Sequence, residues 1–119
     1  MSRSSRRQPS APASRGAAID PRKAALSRIA ELIARGYDAS RLRREAEAVI
    51  ASLSGTMDSN ELRDVLDEVR EQLEAGVEAA EEQASEIDSD DKVSTRNVQR
   101  MVGAMTAARD AFGKAASAL

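Results

Sequence analysis

The residues best suited to a chemical role are arginines near the start of the chain. The stretch SRSSRRQPSAPASRG, residues 2–16, contains four arginines and two prolines, with no acidic residue and no large apolar side chain. Guanidinium groups bind phosphate oxygens, and each phosphate that they neutralise releases counterions. The stretch therefore indicates either an arm that grips the backbone of a nucleic acid or a solvated tail, and the sequence leaves both interpretations open.

Basic character extends beyond this stretch. Residues 1–44 hold eleven Arg and Lys against three acids, whereas residues 45–119 hold seven against seventeen. The first part suits anionic partners and the second suits cationic ones. With only two aromatic residues in the chain, stacking on single-stranded bases is not expected. The candidate nucleic-acid or anion contacts are Arg3, Arg6, Arg7, Arg15, Arg22, Lys23, Arg41, Arg43 and Arg44.

The sequence lacks the side chains that most catalytic and metal-binding sites use. The chain has no Cys and no His, which removes thiol nucleophiles, imidazole acid–base catalysis and the usual zinc sites. The acidic stretch DSDDKVSTRNVQ departs from a calcium-binding EF-hand loop, because Lys92 replaces a ligand and no central glycine is present. We therefore expect no enzymatic activity, no cofactor, no metal and no small-molecule substrate.

The sequence contains neither a predicted membrane-spanning segment nor a predicted secretory signal peptide. No run of about 18 apolar residues occurs, so nothing is predicted to span a membrane. Residues 1–19 have a basic start but lack the apolar stretch of a secretory signal peptide. We expect a protein of the cytoplasm or of a viral or phage particle, without a membrane partner.

Two short helices are predicted after the basic stretch. The first begins at Asp20 as N-cap with Pro21 following, and it ends at Gly36. The second is capped by Asp38 or Ser40 and ends at Gly55. Each is expected to span about 16 residues and the two to pair as a hairpin. Their apolar stripes are Leu26, Ile29, Ala30, Ile33 and Tyr37, and Leu42, Ala46, Val49, Ile50 and Leu53.

Two longer helices are predicted to follow. Asp58 caps the third, and its apolar residues alternate spacings of four and three, as in a heptad seam. Ser94 or Thr95 is expected to cap the fourth. The seam comprises Leu62, Leu66, Val69, Leu73, Gly76, Ala80, Gln83 and Ile87, and the fourth helix has the stripe Val98, Met101, Val102, Met105, Ala108, Phe112 and Ala116.

Together these patterns predict an all-α fold with four helices. A short helical hairpin is followed by a long antiparallel hairpin in a helical domain over residues 19–119. Residues 1–18 are predicted to be a disordered basic N-terminal arm, because they carry no apolar periodicity that could offset the entropy of ordering.

The predicted function is a non-enzymatic helical assembly module, a structural or scaffolding subunit of a larger complex, whose partner is itself or another helical protein. Its expected protein interface is Leu66, Val69, Leu73, Val77, Met101, Met105 and Phe112. One alternative is a nucleic-acid-associated accessory protein that grips phosphates through its basic third. Another is a small acidic adaptor or inhibitor of a basic protein.

Overall fold

The computed structural model describes residues 20–119, and the predicted arm at residues 1–18 lies outside them. Within this range the chain is all-α and contains no strand, which confirms the predicted fold class. The helices are α1 (Pro21–Ala34), α2 (Ala39–Ser54), α3 (Ser59–Ser85) and α4 (Lys92–Ser117).

An aspartate precedes each of the four helices. Its carboxylate accepts a hydrogen bond from a backbone N–H in the first turn, which satisfies a donor that the helix itself leaves unpaired. The predicted cap of α4 at Ser94 or Thr95 was wrong, because Asp91 accepts the Ser94 N–H at 3.0 Å and α4 begins earlier, at Lys92. The four N-caps are Asp20, Asp38, Asp58 and Asp91.

The turn between α1 and α2 depends on Gly36. Its φ of 99° lies in the left-handed region, where a side chain is unfavourable. The Gly36 N–H donates to the Ile33 carbonyl at 3.0 Å, and the Tyr37 N–H donates to the Leu32 carbonyl at 3.2 Å. These two bonds form a Schellman motif, and the turn lets α2 run back along α1.

The long hairpin predicted for α3 and α4 is present, and these two helices share the most extensive contact in the described chain. The side chain of Met105 packs over Gly76, where an added Cβ would lie 3.1 Å from the methionine sulfur. An ion pair of 2.7 Å between Arg109 and Glu74 also joins the two helices. α2 packs chiefly against α4, and α1 contacts all three other helices.

The main core lies where all four helices meet. Its largest fully buried side chains are Phe112, Ile29, Leu32, Leu42, Leu66, Val65 and Val69. The stripe predicted for the first helix was partly wrong, since Ala25 and Leu32 are buried while Ala30 is exposed. The reason is that α1 also packs against α2, where Arg28 pairs with Glu45, so its buried face is turned toward that helix.

The α3–α4 hairpin extends past this core. We call residues 78–98 the hairpin end, because neither the core nor the apolar side chains packed against it include any of these residues. Ala80 and Val98, which are 6% and 7% exposed, are the buried apolar residues of the hairpin end. Its helices are therefore held by a thin apolar contact.

Candidate functional site

The structure divides the nine predicted anion contacts into three groups. Arg3, Arg6, Arg7 and Arg15 lie outside the described residues. Two others are engaged within the chain, since Arg22 Nε donates to Glu68 at 2.6 Å and the Arg41 guanidinium lies 4.3 Å from the centre of the Tyr37 ring. Lys23, Arg43 and Arg44 are exposed, and no ion pair within residues 20–119 involves them.

These basic side chains do not form one cluster. α1 and α2 are antiparallel, as the ion pair of 3.5 Å between Arg28 and Glu45 requires. Arg22 and Lys23 stand at the start of α1, whereas residues 41–44 follow the turn at its other end. Glu45 lies beside Arg28, so Arg44 and Arg41 lie opposite residues 29–32 of α1. They are therefore about 9 to 15 Å along the helix from Lys23 and Arg22, and the basic residues are spread along the α1–α2 hairpin.

The predicted protein interface is largely core. Leu66, Val69, Leu73, Val77 and Phe112 are buried within a single chain. Their burial therefore needs no second copy, and of the five only Leu73 reaches the surface, at the groove described below. Of the seven predicted interface residues, Met101 and Met105 are half-exposed, and both lie on one groove.

This groove runs along α1, between it and the long hairpin. It consists of two adjoining depressions of about 410 and 240 Å³. Both are lined by Ala30, Ile33 and Met105, so they form one continuous trough. The other lining residues are Leu26, Ile29, Ala34, Gln72, Leu73, Gly76, Asn97, Arg100 and Met101.

The helix faces that line the groove continue into the hairpin end. On α3, Gly76 is followed at the same face by Gln83 and Ile87, and on α4 Asn97 is preceded by Val93. Val93 is 72% exposed, an unusual position for a large apolar side chain. Gln83, Ile87 and Val93 are uncharged, and Gln83 is exposed while Ile87 is partly buried.

Arg100 fixes the α1 side of the groove. Its Nη1 donates to the carbonyls of Ile33 and Tyr37, each at 3.1 Å. These carbonyls lie where α1 ends, so the positive charge also interacts favourably with the helix dipole. No local sequence pattern indicates this role, because Arg100 is 67 residues from Ile33 along the chain.

The hairpin end is strongly acidic. It contains seven acids and two basic residues, Lys92 and Arg96. None of these seven forms an ion pair within residues 20–119, whereas acids such as Glu68 and Glu74 pair with arginines of other helices. Backbone and side-chain hydrogen bonds from Ser94 lower the pKa of Asp91. The seven acids are Glu78, Glu81, Glu82, Glu86, Asp88, Asp90 and Asp91.

Within residues 20–119, no group of three or more potential metal ligands comes together. None of the four helices has the length and apolar character needed to cross a membrane.

Comparison with known proteins found no similar family, protein or structure. The chain matches no protein-family model, no curated protein and no solved structure.

Proposed function

We propose that this chain is a non-enzymatic helical assembly module, a structural or scaffolding subunit that binds a helix of another protein in the groove along α1. The observation that carries the proposal is the groove itself, an open apolar trough that leads to an unpaired acidic end. Exposed apolar troughs rimmed by polar residues mark protein interaction sites more often than isolated apolar side chains do.

The lining of the groove indicates the chemistry of its occupant. Ala30 and Ala34 have small side chains, so the backbone of an incoming helix can approach α1 closely. Met101 and Met105 are flexible and fill irregular gaps against different partners. The occupant therefore has a small apolar face.

The charge of the hairpin end restricts the partner further. A helix lying in the groove approaches the turn between α3 and α4, which holds Asp88, Asp90 and Asp91, with Glu86 beside it. The other three acids of the hairpin end lie on the opposite face of α3. Arginine or lysine at that end of the partner is attracted to the acids of the turn, whereas the hairpin end of a second copy is repelled. We therefore propose that the partner helix is basic. This proposal is compatible with the alternative of a small acidic adaptor that binds a basic protein.

A designed peptide tests this proposal. The probe is an amidated 18-residue alanine-rich helix with leucines along one face and two arginines at its C-terminus, labelled with fluorescein. We expect saturable binding by fluorescence anisotropy, weakened at least tenfold in Ala30→Arg, whose side chain fills the groove. Ala48→Arg adds the same group at an exposed position away from the groove and should bind normally. Equal affinity of the two variants would contradict the proposal.

The nucleic-acid alternative has one supporting observation, the exposed and unpaired Lys23, Arg43 and Arg44. If about four basic groups of the chain meet phosphates, the logarithm of the affinity for double-stranded DNA falls with the logarithm of salt concentration at a slope near −3.6. A titration at several salt concentrations measures this slope. Absence of binding even at low salt would exclude the alternative.

A further inference from the structure

We infer that helix α2 of a second copy of this chain lies in the groove, with its first turns toward the turn between α3 and α4, so that copies join head to tail. The inference rests on the function proposed above, because it names the partner of that same groove. It is supported by the outer face of α2, by the charges at the two ends that come together and by the order of charges along the groove.

The outer face of α2 has the small size and the basic end expected of the occupant. Four exposed residues follow one another along it at helical spacing, and three of them are small. The fourth, Arg44, forms no ion pair within residues 20–119. Arg41 and Glu47 stand at the two edges of this face. We call Ser40, Arg44, Ala48 and Ala51 the α2 face.

The two ends that come together carry charges that their own helix dipoles disfavour. After its cap Asp38, α2 has three arginines in its first six residues and no acid in its first turn, although the start of a helix is positive. Helix α3 ends at Glu86 with no basic residue in its last turn, although the end of a helix is negative. Contact between the start of α2 in one copy and the end of α3 in another offsets both costs.

The basic end of the α2 face has the right spacing to approach the acids. We place Ala51 of the second copy level with Gly76, beside the alanines of α1. Arg44 is seven residues from Ala51, which brings it about 10 Å nearer the turn. Its side chain leans further in that direction, toward the start of α2. It thereby approaches Glu86, which lies ten residues beyond Gly76, about 15 Å along α3.

The acid at the edge of the α2 face stays away from the acids of the turn. In the same placement Glu47 is about 6 Å from Ala51 toward the turn. Arg100 lies five residues from Met105, about 8 Å along α4, so Glu47 is level with the positive charge of the groove. The charges of helix and groove therefore alternate in the same order.

A single chain cannot make this contact with itself. Its own α2 lies along one side of α1, where Arg28 pairs with Glu45, whereas Ala30 and Ala34 line the groove on another side of α1. Each folded chain therefore presents one groove and one α2 face. Contact between two different surfaces is heterologous, and it extends into a ring or a filament.

Two arginine variants of the full chain test the contact. Ala30→Arg fills the groove, whereas Ala48→Arg blocks the α2 face, and both positions are exposed, so both variants should fold. Sedimentation equilibrium should show self-association of the natural chain and a monomer for each variant. An equimolar mixture of the variants should form a particle of two chains and nothing larger, because one intact groove and one intact α2 face remain. A mixture that stays monomeric would overturn the inference, as would self-association of Ala48→Arg equal to that of the natural chain.

Charge exchange tests the placement along the groove. Arg44→Glu and Glu86→Lys should each weaken self-association several-fold, and mixing these two variants should restore it, because every contact between them then joins opposite charges. Arg43 lines the depression between α2 and α4, and Glu78 lies on the opposite face of α3. The matched controls Arg43→Glu and Glu78→Lys should have smaller effects. If mixing does not restore association, or if the controls weaken it equally, the inference is wrong.

The probe peptide separates this inference from the function on which it rests. The groove of Ala48→Arg is intact, and the peptide should also dissociate the assembly of the natural chain, because peptide and α2 occupy the same groove. If Ala48→Arg binds the peptide but the natural chain does not self-associate, the docking function stands and this inference fails. If Ala48→Arg does not bind the peptide, the docking function itself fails.

Discussion

The half of the α3–α4 hairpin that α1 and α2 cover and the uncovered hairpin end are built differently. The covered half surrounds large fully buried side chains such as Phe112 and Leu66. In the hairpin end the buried residues Ala80 and Val98 are small. Buried apolar area contributes roughly 25 cal/mol per Å², so the two halves of one continuous helical pair differ in how strongly they are held.

Their charged residues differ in the same way. In the covered half, acids such as Glu68 and Glu74 pair with arginines of other helices. Within residues 20–119, the acids of the hairpin end make no such pair. The comparison teaches that the covered half is held by large buried side chains and by ion pairs between helices, whereas the hairpin end has only small buried side chains and acids without an ion pair within residues 20–119.

Truncation of a buried side chain to alanine should give the largest difference between the two halves in the free energy of unfolding. Phe112→Ala is expected to lower the free energy of unfolding by about 3 to 5 kcal/mol, because the ring is fully buried among four helices. Val98→Ala should cost less than about 2 kcal/mol, since it removes fewer atoms from a thinner contact. Urea denaturation measures both, and equal losses would erase the distinction between the halves.

Hydrogen exchange should show the same difference without mutation. Amides of the hairpin end, such as those of Ala80 and Val98, are expected to exchange through local openings. Their opening free energy should be about 2 kcal/mol or more below that of amides near Leu66 and Phe112, which exchange on global unfolding. Uniform protection along α3 and α4 would mean that the hairpin opens as one unit.

The glycines of the long hairpin give a smaller effect. Gly103→Ala is expected to stabilise the chain by up to about 1 kcal/mol, because alanine favours the helix and nothing lies within 4 Å of the new Cβ. Gly76→Ala should gain less, since its Cβ would lie 3.1 Å from the Met105 sulfur and the methionine must move. Thermal denaturation of both variants compares them, and a larger gain for Gly76→Ala would contradict the close approach seen there.

The smallest predicted effect is that of pH on the start of α4. Hydrogen bonds from Ser94 lower the pKa of Asp91, so the ionised carboxylate stabilises the folded chain at pH values above the ordinary aspartate pKa of about 3.9. This contribution is lost as the pH falls through the lowered pKa. The chemical shift of the Ser94 amide proton, followed from pH 6 to pH 2, should report the change.

A matched pair of variants checks that Asp91 is responsible. Asp91→Asn retains a capping side chain that does not titrate and should remove the acid-dependent shift at Ser94. Asp64→Asn, an exposed change inside α3, should leave the shift unchanged. If the shift persists in Asp91→Asn, another group controls the start of α4.

Local sequence patterns predicted the elements well. Asp20, Asp38 and Asp58 were recognisable as caps or candidate caps, because an N-cap acts on backbone groups two or three residues away. The seam of Leu66, Val69 and Leu73 was also found, since helical periodicity is written in neighbouring residues. The cap of α4 was missed, although Asp91 stands beside the residues proposed, because several capping side chains follow one another there.

Tertiary structure decided the rest. Whether Leu32 or Ala30 faces inward depends on α2, and the role of Arg100 depends on carbonyls more than sixty residues away. The groove exists because α1 crosses the hairpin where Gly76 and the two methionines leave space, and α1 then ends before α3 does. Composition and periodicity thus determined which segments are helical and how the charge is divided along the chain. How the helices pack determined which surfaces remain uncovered, because packing joins residues that carry no information about each other in the sequence.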